Sequence, residues 1–140
     1  MKIYRIDKVI EKLTRDYETR DPFEIAQSKG IYVIEENLGE IYGYFHRWKR
    51  IKFIHINENL NECDKLITCS HELGHAICHP MESTPALTKA NLVSELKIET
   101  EANYFATKLI IDNSHQQYYL KTTYDILNYY GLPCSFERFL

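Results

Sequence analysis

Two histidines four positions apart, the first followed at once by a glutamate, constrain this chain more than any other feature it has: His71-Glu72-Leu73-Gly74-His75. In an α-helix residues i and i+4 share a face, so both imidazoles can reach one cation at roughly 2.0–2.1 Å. Glu72 points about 100° away from His71, where a carboxylate can take a proton from a water attacking a carbonyl. Two imidazoles do not complete such a centre, because a catalytic zinc takes three protein ligands and keeps its fourth position open. The fold must therefore press a second ligand-bearing element against this helix.

Few residues can supply that ligand. The extended H-E-x-x-H-x-x-G-x-x-H pattern needs glycine at position 78 and histidine at 81, where the chain has Cys78 and Met81. Further along the chain stands Ile98-Glu99-Thr100-Glu101-Ala102-Asn103, with Glu99 placed 24 positions after His75 (99 minus 75), enough chain for a turn and an antiparallel helix. Glu99 is the expected third ligand. Glu101 competes, but it lies about 200° round the helix, so only one of the two can face the cation. Asn103, four after Glu99 and on its face, is placed to donate to a histidine ring or orient a carboxylate. The expected centre holds one Zn2+ per chain on His71, His75 and Glu99, with Glu72 as the catalytic base.

The surrounding pattern reads as α+β. Ile6, Val9, Ile10, Leu13 and Tyr17 recur at helical spacing and predict an amphipathic helix over the first eighteen or so residues. Asp21-Pro22-Phe23-Glu24 reads as the N-cap, first-turn proline and carboxylate of a second helix, with Lys29-Gly30 as its stop. Runs of β-branched and aromatic residues at 31–34, 41–45 and 51–56 predict three strands, the last two a hairpin turning at Trp48-Lys49-Arg50. Helices are expected over 61–79, closed by Pro80, and over about 91–111, where Ile98, Ala102, Phe105, Ala106, Leu109 and Ile110 form one stripe. Two short helices, 120–130 and 133–140, should flank Gly131. The expectation is one domain over 1–140: N-terminal helices in 1–30, a small, mainly antiparallel three-stranded sheet in 31–56, metal-binding helices in 61–111 and C-terminal helices in 115–140, the sheet packed on a helix bundle.

Composition sets the outer bounds. At 140 residues, 44% hydrophobic and 26% charged, the chain can bury one real core and lacks the signature of disorder. A net charge of -3 opposes a phosphate backbone, so no direct nucleic-acid contact is expected. The first twelve residues mix charges into every turn, and no later stretch could span a bilayer, so a cytoplasmic protein without membrane contact is expected. Its four cysteines contain no C-x-x-C pair and are read as reduced, mostly packed thiols. A monomer is expected.

In Tyr42-Gly43-Tyr44, in Phe53-Ile54-His55-Ile56-Asn57, in Thr68-Cys69-Ser70-His71-Glu72-Leu73-Gly74-His75 with His79 beyond it, and in Glu99-x-x-Ala102-Asn103-x-Phe105-Ala106, the chain resembles the ImmA/IrrE family of metallopeptidases over roughly residues 20–112. The resemblance implies a zincin-like core with a thermolysin-type ligand arrangement, which puts His71, His75 and Glu99 on the metal and Glu72 in catalysis. It also implies a role: a zinc-dependent endopeptidase that cleaves a helix-turn-helix transcriptional repressor in trans, relieving repression of a mobile element, prophage or stress response. Two departures stand out. Leu109-Ile110-Ile111-Asp112 replaces an apolar pair followed by Met-Pro, and Ser70 replaces an alanine common before the first histidine. Neither touches an expected ligand. Some members carry a fused DNA-binding domain, for which this chain leaves no room before its core, so the repressor is expected to be a separate protein.

Other residues leave their roles open. His79 follows His75 by four, but the helix has risen about 6 Å by then, too far for easy shared ligation. It reads as a contact to a ligand ring or to substrate, or as a structural histidine. Cys78 reads as a buried thiol rather than a ligand. Tyr44, His46 and His55 are each candidates to stabilise an oxyanion. His46-Arg47-Trp48-Lys49-Arg50 reads as a solvated basic tip. Two other functions compete: a non-catalytic zinc-containing regulator that binds a repressor or sensor partner, and DNA binding through the helices around Gly131. The net charge opposes the second, and a structural zinc usually has four protein ligands where only three credible ones appear.

Overall fold

In the computed structural model, which describes residues 3–140, the N-terminal periodicity forms α1 (Ile3–Tyr17), with Ile6, Ile10 and Leu13 turned inward. Met1 and Lys2, where the predicted helix begins, lie outside the described residues. α2 (Pro22–Ser28) has the ends its sequence announces: Asp21 Oδ1 accepts from the Phe23 amide at 2.9 Å, proline opens the first turn, and Lys29 closes the last.

The three strands are β1 (Tyr32–Glu36), β2 (Gly43–Trp48) and β3 (Ile51–Asn57), in the order β1-β3-β2. β2 and β3 form the expected antiparallel hairpin, but β1 lies parallel to β3, so the sheet is mixed rather than mainly antiparallel. The chain leaving β1 crosses the end of β3 to start β2 on the far side. Asn57 pins this crossover, its Nδ2 donating to Gly39 O at 2.8 Å and Ile41 O at 3.0 Å. Alternation turns Phe45, Ile54 and Ile56 into the core and leaves Tyr44, His46 and His55 on the other face.

Against the inner face of the sheet runs α3 (Glu62–Cys78), capped by Asn61, whose Oδ1 accepts from the Asp64 amide at 2.8 Å. Every residue from 67 to 76 is buried, because the sheet covers one side of the helix and α4 (Lys97–Ile110) the other. Gly74 is what lets α4 so near: a Cβ there would meet the Phe105 ring at 3.1 Å. Phe105 itself is fully buried, a contribution of roughly 1.5–3 kcal/mol. α1 lies across α4, with the Tyr104 hydroxyl donating to Asp7 Oδ1 at 2.7 Å.

The helix expected over 91–111 is two pieces. A short 3-10 helix (Ala90–Val93) ends in extended backbone at Ser94 and Leu96 before α4 begins. The chain breaks there because Leu92 O has to turn back to accept from Asn103 Nδ2 at 3.1 Å. The C-terminal part starts with a 3-10 helix (Ser114–Tyr118); α5 (Thr123–Tyr130) then ends at Gly131, and the last predicted helix is a 3-10 helix (Cys134–Phe139). Its Arg138 grips both carboxylate oxygens of Glu95 at 2.7 Å. All four thiols are free; Cys69 is buried and Cys78 half-buried, but Cys63 and Cys134 are exposed rather than packed. Among the described residues no helix is long and apolar enough to cross a membrane.

Candidate metal centre

A buried helix normally carries apolar residues on every side, and α3 departs from this at its centre, where Ser70, His71, Glu72 and His75 are all fully buried. His71 and His75, one turn apart, bring their Nε2 atoms to 3.1 Å. Glu99 enters from the first turn of α4: its Oε1 is 2.8 Å from His75 Nε2 and its Oε2 3.6 Å from His71 Nε2. The shorter contact lacks hydrogen-bond alignment, so both Glu99 oxygens, like both of Glu72, are buried without a hydrogen-bond partner. Two imidazole edges and a carboxylate thus face one point that none of them satisfies.

The opposite ring nitrogens show which tautomers are present. Asn103 donates its Nδ2 to Leu92 O, which turns its Oδ1 toward His71 Nδ1 at 2.7 Å. His71 Nδ1 therefore donates to Asn103, which leaves Nε2 as the nitrogen that can ligate a cation. The set suits a divalent cation: the ligand atoms of His71, Glu72 and His75 lie within 4.8 Å of one another, and Glu99 closes on both rings. Geometry alone offers either carboxylate; Glu99 is the nearer, since Glu72 Oε1 stands 3.9 Å from His71 Nε2.

Electrostatics separate the two carboxylates. Burial pushes Glu72 up to about 7, with the His71 charge opposing and the Glu99 charge adding. Burial pushes Glu99 up as well, but its contacts with His71 and His75 outweigh it and bring the group down to about 2. Burial also lowers His75 to about 4, so its ring is neutral. Near neutrality one carboxylate is a fixed charge and the other exchanges a proton readily, the division of labour that acid–base chemistry needs.

The structure brings together all four residues singled out from spacing, His71, Glu72, His75 and Glu99, and puts Asn103 against His71, where its amide oxygen accepts from the ring instead of donating to it as expected, because its Nδ2 is taken by Leu92 O. Glu101 faces away, its Oε2 3.1 Å from His79 Nε2. Tyr44, His46 and His55 do not join the cluster. They stack on the sheet face turned from α3, with Tyr44 and His55 centroids 4.3 Å apart, and His55 Nδ1 lies 2.8 Å from Glu36 Oε1. Two contacts escape sequence reasoning: Leu92 O, which a loop pattern cannot reveal, and the approach of Glu101 to His79, for which the spacing of His75 and His79 was the available signal.

The family model of the IrrE N-terminal-like domain, a peptidase family, matches residues 26–138. A protein of Bacillus phage phi105 described as uncharacterized immunity region protein 2 is 39% identical over 134 residues, which cover 93% of this chain and 85% of the phage protein. The metallopeptidase ImmA of Bacillus subtilis (strain 168) is 31% identical over 104 residues, 73% of this chain and 60% of ImmA, so less than two thirds of that protein is matched.

Proposed function

Because the chain belongs to the family of the IrrE N-terminal-like domain, we propose that it is a zinc-dependent endopeptidase with His71, His75 and Glu99 as ligands of one Zn2+ and Glu72 as the general base. Zinc held there would act as a Lewis acid toward the scissile carbonyl and lower the pKa of a water. Glu72 takes the proton of the attacking water and passes it to the nitrogen of the leaving amine. Glu99 stays ionised throughout, and Asn103 keeps the His71 ring in its ligating tautomer. The observation that carries this reading is Glu72 itself: a buried carboxylate with no hydrogen-bond partner beside two converging imidazoles is costly to keep for structural reasons alone.

The substrate binds extended along the outer edge of β2. Leu87 pairs with the start of that edge, its amide donating to Gly43 O at 2.8 Å, and Pro85, having no N–H, ends the pairing. Beyond it opens a cleft of about 490 Å³ beside Phe45 and Arg47, bounded across by Pro80, Glu82 and Thr84. β2 runs along α3 from Thr68, against Gly43, toward Ala76, whose carbonyl accepts from Lys52 opposite Arg47. A strand laid there adds to the sheet and passes the turn that carries His71 and Glu72.

The substrate is a helix-turn-helix repressor cut in trans in the cytoplasm, which relieves repression of a mobile element, prophage or stress response; the phage relative's description as an immunity region protein supports a regulatory target. Co-expression with an adjacently encoded repressor, wild type beside Glu72→Gln, followed by mass spectrometry, tests it. Fragments are expected with wild type only. One observation favours a second reading, a non-catalytic regulator that binds the repressor: the centre is closed to solvent. Intact repressor co-purifying with both proteins would select that reading.

A further inference from the structure

His75 has a second nitrogen, and the hydrogen-bonded chain it begins takes no part in the proposed hydrolysis. Its Nδ1 lies 3.0 Å from His79 Nδ1, and His79 Nε2 lies 3.1 Å from Glu101 Oε2. All three side chains are buried. A neutral imidazole has one N–H and one lone pair, and an ionised carboxylate only accepts. With both rings neutral, one assignment satisfies both contacts: His79 donates from Nε2 to Glu101, its Nδ1 accepts from His75 Nδ1–H, and His75 is left with its lone pair on Nε2, facing His71 and Glu99.

From this geometry we infer that His79 and Glu101 are positioning residues for His75, selecting its metal-binding tautomer and holding its ring plane; the inference rests on the proposed metal site. Asn103 does the same for His71 through one amide. On its Nδ1 side His75 reaches α4 through two residues, with the His79 ring between it and Glu101. Glu99 and Glu101 point in different directions from one helix, so a stretch of three residues supplies both a carboxylate for the centre and a carboxylate behind it. The alternative is that the pair merely closes the end of α3, where the His79 amide already donates to His75 O at 2.8 Å.

Zn2+ affinity, measured by competition with a chromophoric chelator, separates the two, with the Co2+ absorption spectrum as a second readout of ligand geometry. Glu101→Ala and His79→Phe should each weaken Zn2+ binding about 10–100-fold and alter the Co2+ bands. The double variant should lose little more, because the two act as one unit. Glu101→Gln, which keeps an acceptor for His79, should recover most of the affinity. Glu101→Met fills the same volume and replaces the alanine variant if that protein does not fold. Unchanged affinity and spectrum in the single variants, with a lower melting temperature in chelator, would overturn the inference in favour of helix closure. A wild-type protein that binds neither Zn2+ nor Co2+ would overturn the metal reading and the inference with it, a result distinguishable from the first.

Discussion

Glu72 sits fully enclosed with neither carboxylate oxygen hydrogen-bonded, and burial raises its pKa from the ordinary 4.5 to about 7. The fold therefore favours the protonated form. That contribution to stability is complete below the ordinary value and is lost as pH rises through about 7. Protein stripped with a chelator should be less stable at pH 8 than at pH 5 by on the order of 1–3 kcal/mol from this group, read from urea denaturation. Glu72→Gln, which cannot ionise, should flatten that dependence; an equally steep profile in the variant would assign it to other groups. The same substitution should lower turnover by about 10²–10⁴-fold, the usual loss for a general base. Residue chemistry is the level most legible in the chain: His71 and His75 share a face because helical periodicity is local, and no distant contact can change it.

At the scale of elements, the two ligand-bearing helices and the edge strand are set by close approaches. Gly74 admits the Phe105 ring, and Gly43 sits where a Cβ would be 2.5 Å from His55 O and 2.6 Å from Thr68 Cγ2. The first of these obstacles is backbone and cannot move alone. Gly43→Ala should push β2 off α3 and cost about 2–3 kcal/mol of stability, measured as a shift in denaturation midpoint; a shift near zero would mean the strand is freely displaced. Element ends were legible where a side chain caps locally, as at Asp21 and Asn61. The break at 94–96 was not, because it serves Asn103, eleven residues from Leu92, and nothing in the loop's own composition announces that partner.

For the whole molecule, His71 and His75 on α3 and Glu99 on α4 make the centre a cross-link between the two most buried helices. Any ion binding there stabilises the folded chain by mass action, about 2.7 kcal/mol when free Zn2+ is a hundred times its dissociation constant. Thermal unfolding with added Zn2+ should therefore shift upward relative to chelator, and His75→Ala should remove the shift; equal shifts in both would place the ion elsewhere. By itself the sequence determined what depends on near neighbours: the α+β alternation, the capped helix that carries two histidines and a glutamate, and the return of a second helix with carboxylates in reach. Tertiary structure decided the rest. β1 runs parallel to β3 although nothing in its composition encodes direction, since strand pairing is set by which crossover Asn57 can hold. Helical phase already favoured Glu99 over Glu101, but that Glu99 meets the two imidazoles while Glu101 finds His79 follows from the rotation of α4 about its axis, fixed by Phe105 against Gly74 and by Asn103 against His71. A helix carries its own periodicity, but its rotation is set only by what it packs against.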